Sequence, residues 1–131
     1  MKRAMFVGRW QPFHNGHKQL IDKKLNKGTP VLVCVCDVPP DDENPFSTRE
    51  TMHMIEVAYQ DQDVIVMAVP DVESVNYGKD ASYEVKQHAT KKDKAVTISD
   101  VRSQIKEGTS DWKENIDPKI QGIVHSILLR N

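Results

Sequence analysis

Ten consecutive residues near the start of the chain concentrate the side chains able to do chemistry: Gly8-Arg9-Trp10-Gln11-Pro12-Phe13-His14-Asn15-Gly16-His17. Gly8 lets the backbone approach a ligand closely. Arg9 supplies a fixed positive charge able to grip a phosphate. Asn15 and Gly16 stand where a helix is predicted to begin, and free N–H groups with the helix dipole favour an anion there. His14 and His17, three residues apart, fall on one side of that first turn. Such a set suits the stabilisation of charge on a phosphoryl group during transfer. Spacing alone leaves two alternatives open. The histidines could be half of a zinc site, although no third Cys or His stands nearby, or they could be surface residues.

The elements that must position this segment alternate between strand and helix. Ala4–Val7 is a short apolar run ended by Gly8, which suits a buried strand. Asn15 caps a predicted helix whose Leu20, Ile21 and Leu25 recur at helical spacing, with Gly28 as its stop. Thr29–Cys36, rich in β-branched Val31, Val33 and Val35, reads as a second strand. The proline- and carboxylate-rich stretch Asp37–Phe46 is a loop. Ser47 opens the next helix, with Glu50 completing a capping box and Met52, Ile55 and Tyr59 as its inner stripe.

Val64–Val69 is a third strand, closed by Pro70-Asp71. A loop containing Gly78 leads to a shorter helix around Ala81–His88, then to a fourth short strand at Lys94–Ile98. Ser99 caps a helix to Glu107, stopped by Gly108. The last helix starts at Asp117-Pro118 and carries Ile120, Val124, Ile127 and Leu128 inward. This alternation predicts one α/β domain over residues 1–131: a compact, Rossmann-like, doubly wound parallel sheet of about four strands, with helices on both faces. Ligands in such sheets bind at the carboxyl ends of strands, which directs attention to the loops after Val7, Cys36 and Val69 and to the helix start near Ser99.

Composition narrows the function class. With 28% charged and 38% apolar residues the chain is ordinary globular protein, not disordered. A net charge of −1 offers no coat for nucleic acid or a membrane surface, so any phosphate site is local. No apolar run approaches the roughly 20 residues of a membrane span, and Ala4–Val7 is too short for a signal core, so the expected location is the cytoplasm. Cys34 and Cys36 share one face of a strand and read as buried small residues; a C-x-C half-site lacks further thiols.

The ordered pattern from strand through G-R-W-Q-P-F-H-N-G-H to helix resembles the H-x-G-H signature of the nucleotidyltransferase superfamily, in the form of the archaeal-type nicotinamide mononucleotide adenylyltransferases. A second likeness lies at Val96-Thr97-Ile98-Ser99-Asp100-Val101-Arg102, similar to the I-S-x-T-x-x-R element, with Thr97 and Ser99 retaining the hydroxyls and Arg102 in place. Asn44-Pro45-Phe46-Ser47 is similar to a third, (D/N)-P-F-(S/T).

The resemblance implies in-line attack of an acceptor phosphate oxygen on the α-phosphorus of a nucleoside triphosphate, ATP favoured, with pyrophosphate leaving and no covalent enzyme intermediate. It implies His14, His17 and Arg102 as catalytic groups. Gly8, Arg9, Trp10, Gln11, Pro12, Phe13, Gly16, Thr97 and Ser99 would bind the nucleotide and its phosphates. Asp37, Asn76 and Tyr77 are the candidates for the acceptor side. Mg²⁺ would arrive on the triphosphate, keeping several waters and needing no dedicated protein cage. The implied partners are small molecules, a nucleotide and a phosphorylated acceptor such as nicotinamide mononucleotide, with a homo-oligomer also allowed.

Three departures bear on the substrate. Pro70-Asp71 is followed by Val72–Gly78 without the family's tryptophan, leaving Tyr77 as the aromatic there. Asp41-Asp42-Glu43 is acidic where a basic residue is usual. The stretch Gly78–Ala95 compresses a strand–loop–helix unit that normally shapes the base pocket. A CTP-dependent transfer to a sugar or polyol phosphate is therefore the alternative, and a non-catalytic nucleotide-binding module is the alternative of a different class. Trp112 is expected to anchor the turn between the last two helices; His53, His88 and His125 fall at predicted helical positions away from the motif.

Overall fold

The computed structural model describes residues 2–80, 82–88 and 98–130. Three parallel strands, β1 (Ala4–Gly8), β2 (Val31–Asp37) and β3 (Val64–Pro70), pair in the order β1-β2-β3. Helix α1 (Asn15–Asn26) connects the first two strands and α2 (Thr48–Ala58) connects the second to the third. Helix α3 (Ile98–Glu107), a 3₁₀ turn (Asp111–Asn115) and α4 (Pro118–Leu129) complete the order. The parallel α/β architecture is as the sequence predicts.

The near-continuous apolar run of β2, the middle strand, goes with burial on both of its faces, Val33 and Val35 on one and Cys34 on the other. In register, Ala4, Val31 and Val64 form one row and Phe6, Val33 and Val66 the next. These rows face a core that takes Ile21 from α1, Met54, Ile55 and Ala58 from α2, Val101 from α3 and Ile120, Val124 and Leu128 from α4. Met52 lies at the edge of this core, and Met54 takes the inner place expected of it. On the opposite side the edge-strand residues Met5, Val7, Ile65 and Met67 are exposed, so the described helices gather on a single face of the sheet and not on both faces as the alternation predicts.

Helix ends explain where the chain turns. Ser47 caps α2: its hydroxyl accepts from the Glu50 N–H, and the Glu50 carboxylate accepts from the Ser47 N–H, the reciprocal box read in the sequence. Asp117 caps α4 by accepting from the Lys119 N–H, with Pro118 at the first helical position. Gly28 and Gly108, both at positive φ, follow α1 and α3 as stops. Trp112 is buried in the 3₁₀ turn, its backbone N–H donating to the Gln104 side chain, and stacks on His125.

Two further expectations change, and a third falls largely outside the described residues. Helix α3 begins at Ile98, which buries against the core, so Ser99 is the exposed second residue of the helix and not its cap. The predicted strand at Lys94–Ile98 lies outside the described residues except for Ile98 itself. No helix forms over the described residues 82–88; Tyr83 and Val85 are exposed there, so the segment has no apolar face to bury.

The α2 cap gives a direct check. Ser47→Ala removes one of two reciprocal bonds and is expected to lower unfolding free energy by about 1 kcal/mol, read as a shift in the urea midpoint at unchanged slope.

Candidate functional site

Beyond Gly8 the chain cannot run on as a strand. Trp10 adopts φ 55 and the Gln11–Pro12 peptide is cis. Left-handed backbone is uncommon for a bulky residue and is kept where surrounding contacts over-determine it. Those contacts are present. The Trp10 ring is only 8% exposed, and its Nε1–H donates to the Cys34 carbonyl of β2 at 3.1 Å. A Cβ at Gly8 would come within 3.2 Å of that ring. The space beside Gly8, which the sequence assigns to a ligand, is thus occupied by the indole.

The fold back into α1 is made by the histidines themselves. His14 is extended (φ −131, ψ 176) and is the N-cap; its Nδ1 accepts from the Gly16 N–H at 3.0 Å. His17 Nδ1 in turn accepts from the His14 N–H at 3.3 Å. Asn15, expected as the cap, instead sends its amide to the Glu114 carbonyl near α4. The reason is reach: an imidazole in extended backbone covers the Gly16 N–H, leaving the Asn15 side chain for a distant partner.

The two rings stack with centroids 3.8 Å apart at 23°. A ring nitrogen that accepts carries no proton, so the proton of each neutral imidazole is on Nε2. Both histidines therefore present Nε2–H donors from one stacked pair. Burial, followed by the neighbouring His14 charge, lowers the His17 pKa to about 3. Phe13, buried, stacks on the His17 ring at 5.9 Å, and Trp10 meets it edge-on at 4.8 Å. Phe13 also contacts Tyr59, whose hydroxyl donates to Asp22 at 2.9 Å. Burial and that bond to Asp22 push the Tyr59 phenol far above its ordinary range.

Gln11 joins the motif to the loop after β2. Its Nε2 donates to the Phe46 carbonyl at 2.8 Å and its Oε1 accepts from the Phe46 N–H at 3.1 Å. Asp37, at the end of β2, accepts from the Thr48 hydroxyl at 2.9 Å. Within the loop, the Asp41 carboxylate accepts from the Asn44 and Glu43 N–H groups, and these bonds with the nearby Arg9 charge hold its carboxyl below the usual range. A cavity of about 770 Å³ opens between this loop and α3, lined among others by Gln11, Asn44, Ser99, Arg102, Ser103 and Lys106. Arg102 donates to the Asp42 carbonyl at 3.1 Å, while its buried Nε has no hydrogen-bond partner among the described residues.

The structure thus brings Gln11, Ser99 and Arg102 to one cavity, and His14, His17, Trp10 and Phe13 to one cluster; Gly16 is bonded to His14, and Arg9 is exposed and close enough to Asp41 to act on its charge. Pro12 is buried between them in the chain. Thr97 lies outside the described residues. Asn76 bonds Ser74 and Tyr77 meets Tyr83, so their contacts stay within the exposed segment after β3. Sequence reasoning passed over Ser103 and Lys106, which follow Ser99 and Arg102 by one helical turn each; that spacing was the available signal. The carbonyls of Cys34 and Asp42 had none, because every residue has one.

Among curated proteins, the nicotinamide-nucleotide adenylyltransferase of Pyrobaculum aerophilum is 26% identical over 159 residues, spanning 97% of this chain and 89% of that protein. The protein of that name from Methanocorpusculum labreanum is 33% identical over 72 residues, which are 53% of this chain and 43% of the relative. In that match the chain therefore spans less than half of the relative. A crystal structure of a bifunctional NMN adenylyltransferase/ADP ribose pyrophosphatase from Francisella tularensis aligns at 30% identity and a TM-score of 0.47, covering 54% of this chain and 23% of that one. Residues 5–123 match the family model described as Cytidylyltransferase-like, a stretch that includes both the histidine loop and α3. The chain belongs to the Cytidylyltransferase-like family.

Proposed function

We propose that this chain transfers an adenylyl group from ATP to a phosphorylated acceptor, nicotinamide mononucleotide in the first place. The observation that carries the reading is the stacked pair His14–His17, whose Nδ1 atoms both accept backbone bonds, so that the proton of each neutral ring is carried on Nε2. The names of the relatives from Pyrobaculum and Methanocorpusculum support adenylyl transfer and the nicotinamide acceptor.

In this mechanism an acceptor phosphate oxygen forms a bond to the α-phosphorus as the bond to the bridging oxygen breaks, and pyrophosphate leaves. Catalysis is positioning plus electrostatic stabilisation, as for phosphoryl transfers generally. His14 and His17 donate to the α-phosphate oxygens as negative charge grows there. Because His17 resists protonation, it does so as a neutral donor, and the positive charge comes from Arg9 and Arg102. Arg102, with Ser99 on the first turn of α3, holds the β- and γ-phosphates; its unpartnered Nε and its bond to a neutral carbonyl leave it able to take a stronger anionic acceptor.

Among the described residues no three His, Cys, Asp or Glu converge as a metal cage. Mg²⁺ fits this donor set as a passenger on the triphosphate oxygens, where it would neutralise phosphate charge. No described helix is long and apolar enough to cross a membrane, in keeping with small soluble substrates.

Measuring pyrophosphate release for ATP and CTP against nicotinamide mononucleotide, glycerol phosphate, sugar phosphates and phosphopantetheine tests the reading. ATP with nicotinamide mononucleotide is expected to be the fastest pairing; silence in every pairing from folded protein overturns it. His17→Ala is expected to lower turnover by about 10²–10³-fold, the loss of one charge-stabilising donor. Full turnover in the folded variant removes His17 from the mechanism.

The low pKa of His17 also sets a stability slope. Between its folded value of about 3 and its ordinary 6.5, the unfolded chain binds a proton that the folded chain refuses. Stability from this group is therefore complete above the ordinary value and falls as pH drops through the window. Urea unfolding at about pH 7 and about pH 5 is expected to show a larger loss for the native chain than for His17→Gln. Equal losses would mean that His17 titrates normally.

A further inference from the structure

Trp10 stands out among residues near the histidines because its conformation is costly and its side chain is tied at more than one point. It holds φ 55, where a bulky residue is an outlier, while its backbone neighbours give it no glycine's freedom. Its Nε1–H is bonded to a carbonyl of the central strand, 24 residues away. One face of its ring lies against Gly8, where a Cβ would need the indole to shift. Another part of it meets His17 with centroids 4.8 Å apart and planes at 83°. Phe13 completes the surround, edge-on to Trp10 at 6.2 Å and stacked on His17.

We propose that Trp10 is a positioning residue for His17: its indole, fastened to β2 through the Cys34 carbonyl, fixes the plane in which His17 presents its Nε2–H. The proposal rests on the reading of His17 as a donor to phosphate. A side chain that only filled space would need neither the left-handed backbone nor the bond to the strand, and any apolar residue in ordinary backbone would serve. Here the strand is the reference frame. β2 holds the Cys34 carbonyl, the carbonyl holds the indole, and the indole meets edge-on the imidazole on which His14 and Phe13 stack. The bond from the His14 N–H to His17 Nδ1 is long at 3.3 Å, and a single long bond orients a ring weakly. The stacks of His14 and Phe13 limit the tilt of the ring, and the edge-on indole, tied to the strand, adds a contact roughly at right angles to them.

The test reads His17 directly. Long-range ¹⁵N–¹H correlation spectra of the free protein report which imidazole nitrogen carries the proton and the pH at which the ring titrates. They are recorded for the native chain, Trp10→Ala and Trp10→Phe, with folding followed by circular dichroism. Of the ring neighbours Trp10, Phe13 and His14, only His14 titrates, and it is unchanged in both variants. The native chain is expected to show the Nε2–H form alone. In Trp10→Ala both tautomers are expected and the midpoint moves up toward the ordinary value of about 6.5. Turnover is expected to fall about tenfold or more while KM for ATP stays within about twofold, the mark of an interaction used in the transition state.

Trp10→Phe keeps a smaller aromatic ring and loses the N–H bond, so a mixture of tautomers is expected with turnover lower by at least about 3- to 10-fold, the worth of one hydrogen bond. Should Trp10→Ala fail to fold, the phenylalanine variant decides alone. A folded variant whose His17 tautomer and midpoint match the native chain overturns the proposal, even if pyrophosphate is still released. Absence of pyrophosphate release from the native chain overturns the reading of the activity instead, and the spectra still decide whether Trp10 orients His17.

Discussion

Both histidines of the motif have one nitrogen committed to the backbone. His14 Nδ1 closes the first turn of α1 by accepting from Gly16, and His17 Nδ1 accepts from the His14 N–H. This reciprocal cap decides several things together. It sets where α1 begins, it stacks the two rings, and it selects the tautomer in which Nε2 carries the proton. The chemistry of the pair is a by-product of how the helix is started. Changing either imidazole alters a helix terminus and the proposed reaction site in one step.

Around that cap the loop is fastened to elements distant in sequence. Trp10 reaches the centre strand, Gln11 reaches Phe46 before α2, and Asn15 reaches Glu114 before α4. Phe13 and Tyr59 fill the interval beneath, with Tyr59 bonded to Asp22 on α1. The site is therefore held by rigid elements even though its residues lie in a loop, the usual arrangement where geometry matters to within fractions of an ångström. On the far wall of the cavity, Arg102 rests on the Asp42 carbonyl. Two cations, Arg9 and Arg102, thus lie against the acidic loop, so any anion entering here competes with that loop for them.

Much of this was legible in the residues. The run Val31–Cys36 announced a buried strand because its β-branched residues suit a pleated surface and polar side chains are almost absent from it. Ser47 with Glu50, and Asp117 with Pro118, marked helix starts because caps are local chemistry, readable three residues at a time. Asn15 was misread as a cap for the complementary reason. Asparagine is a good cap by type, yet the position one earlier already carried a side chain long enough to do the work. Ser99 failed similarly: burial of Ile98 started α3 sooner than its hydroxyl suggested. The helix expected around Ala81–His88 does not form over the described residues 82–88, since apolar residues shape a helix only when something covers them. What composition and spacing could not convey was the set of bonds to backbone carbonyls, at Cys34 and Asp42, since those acceptors have no letter of their own.

The pairing of Gln11 with Phe46 has a consequence of direction. The side chain gives a proton to one backbone atom and receives one from another atom of the same residue, as a neighbouring strand would. A primary amide can give and receive at once from a single planar group without carrying charge. A carboxylate of equal length would accept twice and set like dipoles against each other. A hydroxyl would be too short to span both atoms. Gln11 therefore acts as a one-residue piece of β-ladder between two loops, and through it a displacement of Phe46 at the head of α2 would be felt at the loop that carries the histidines.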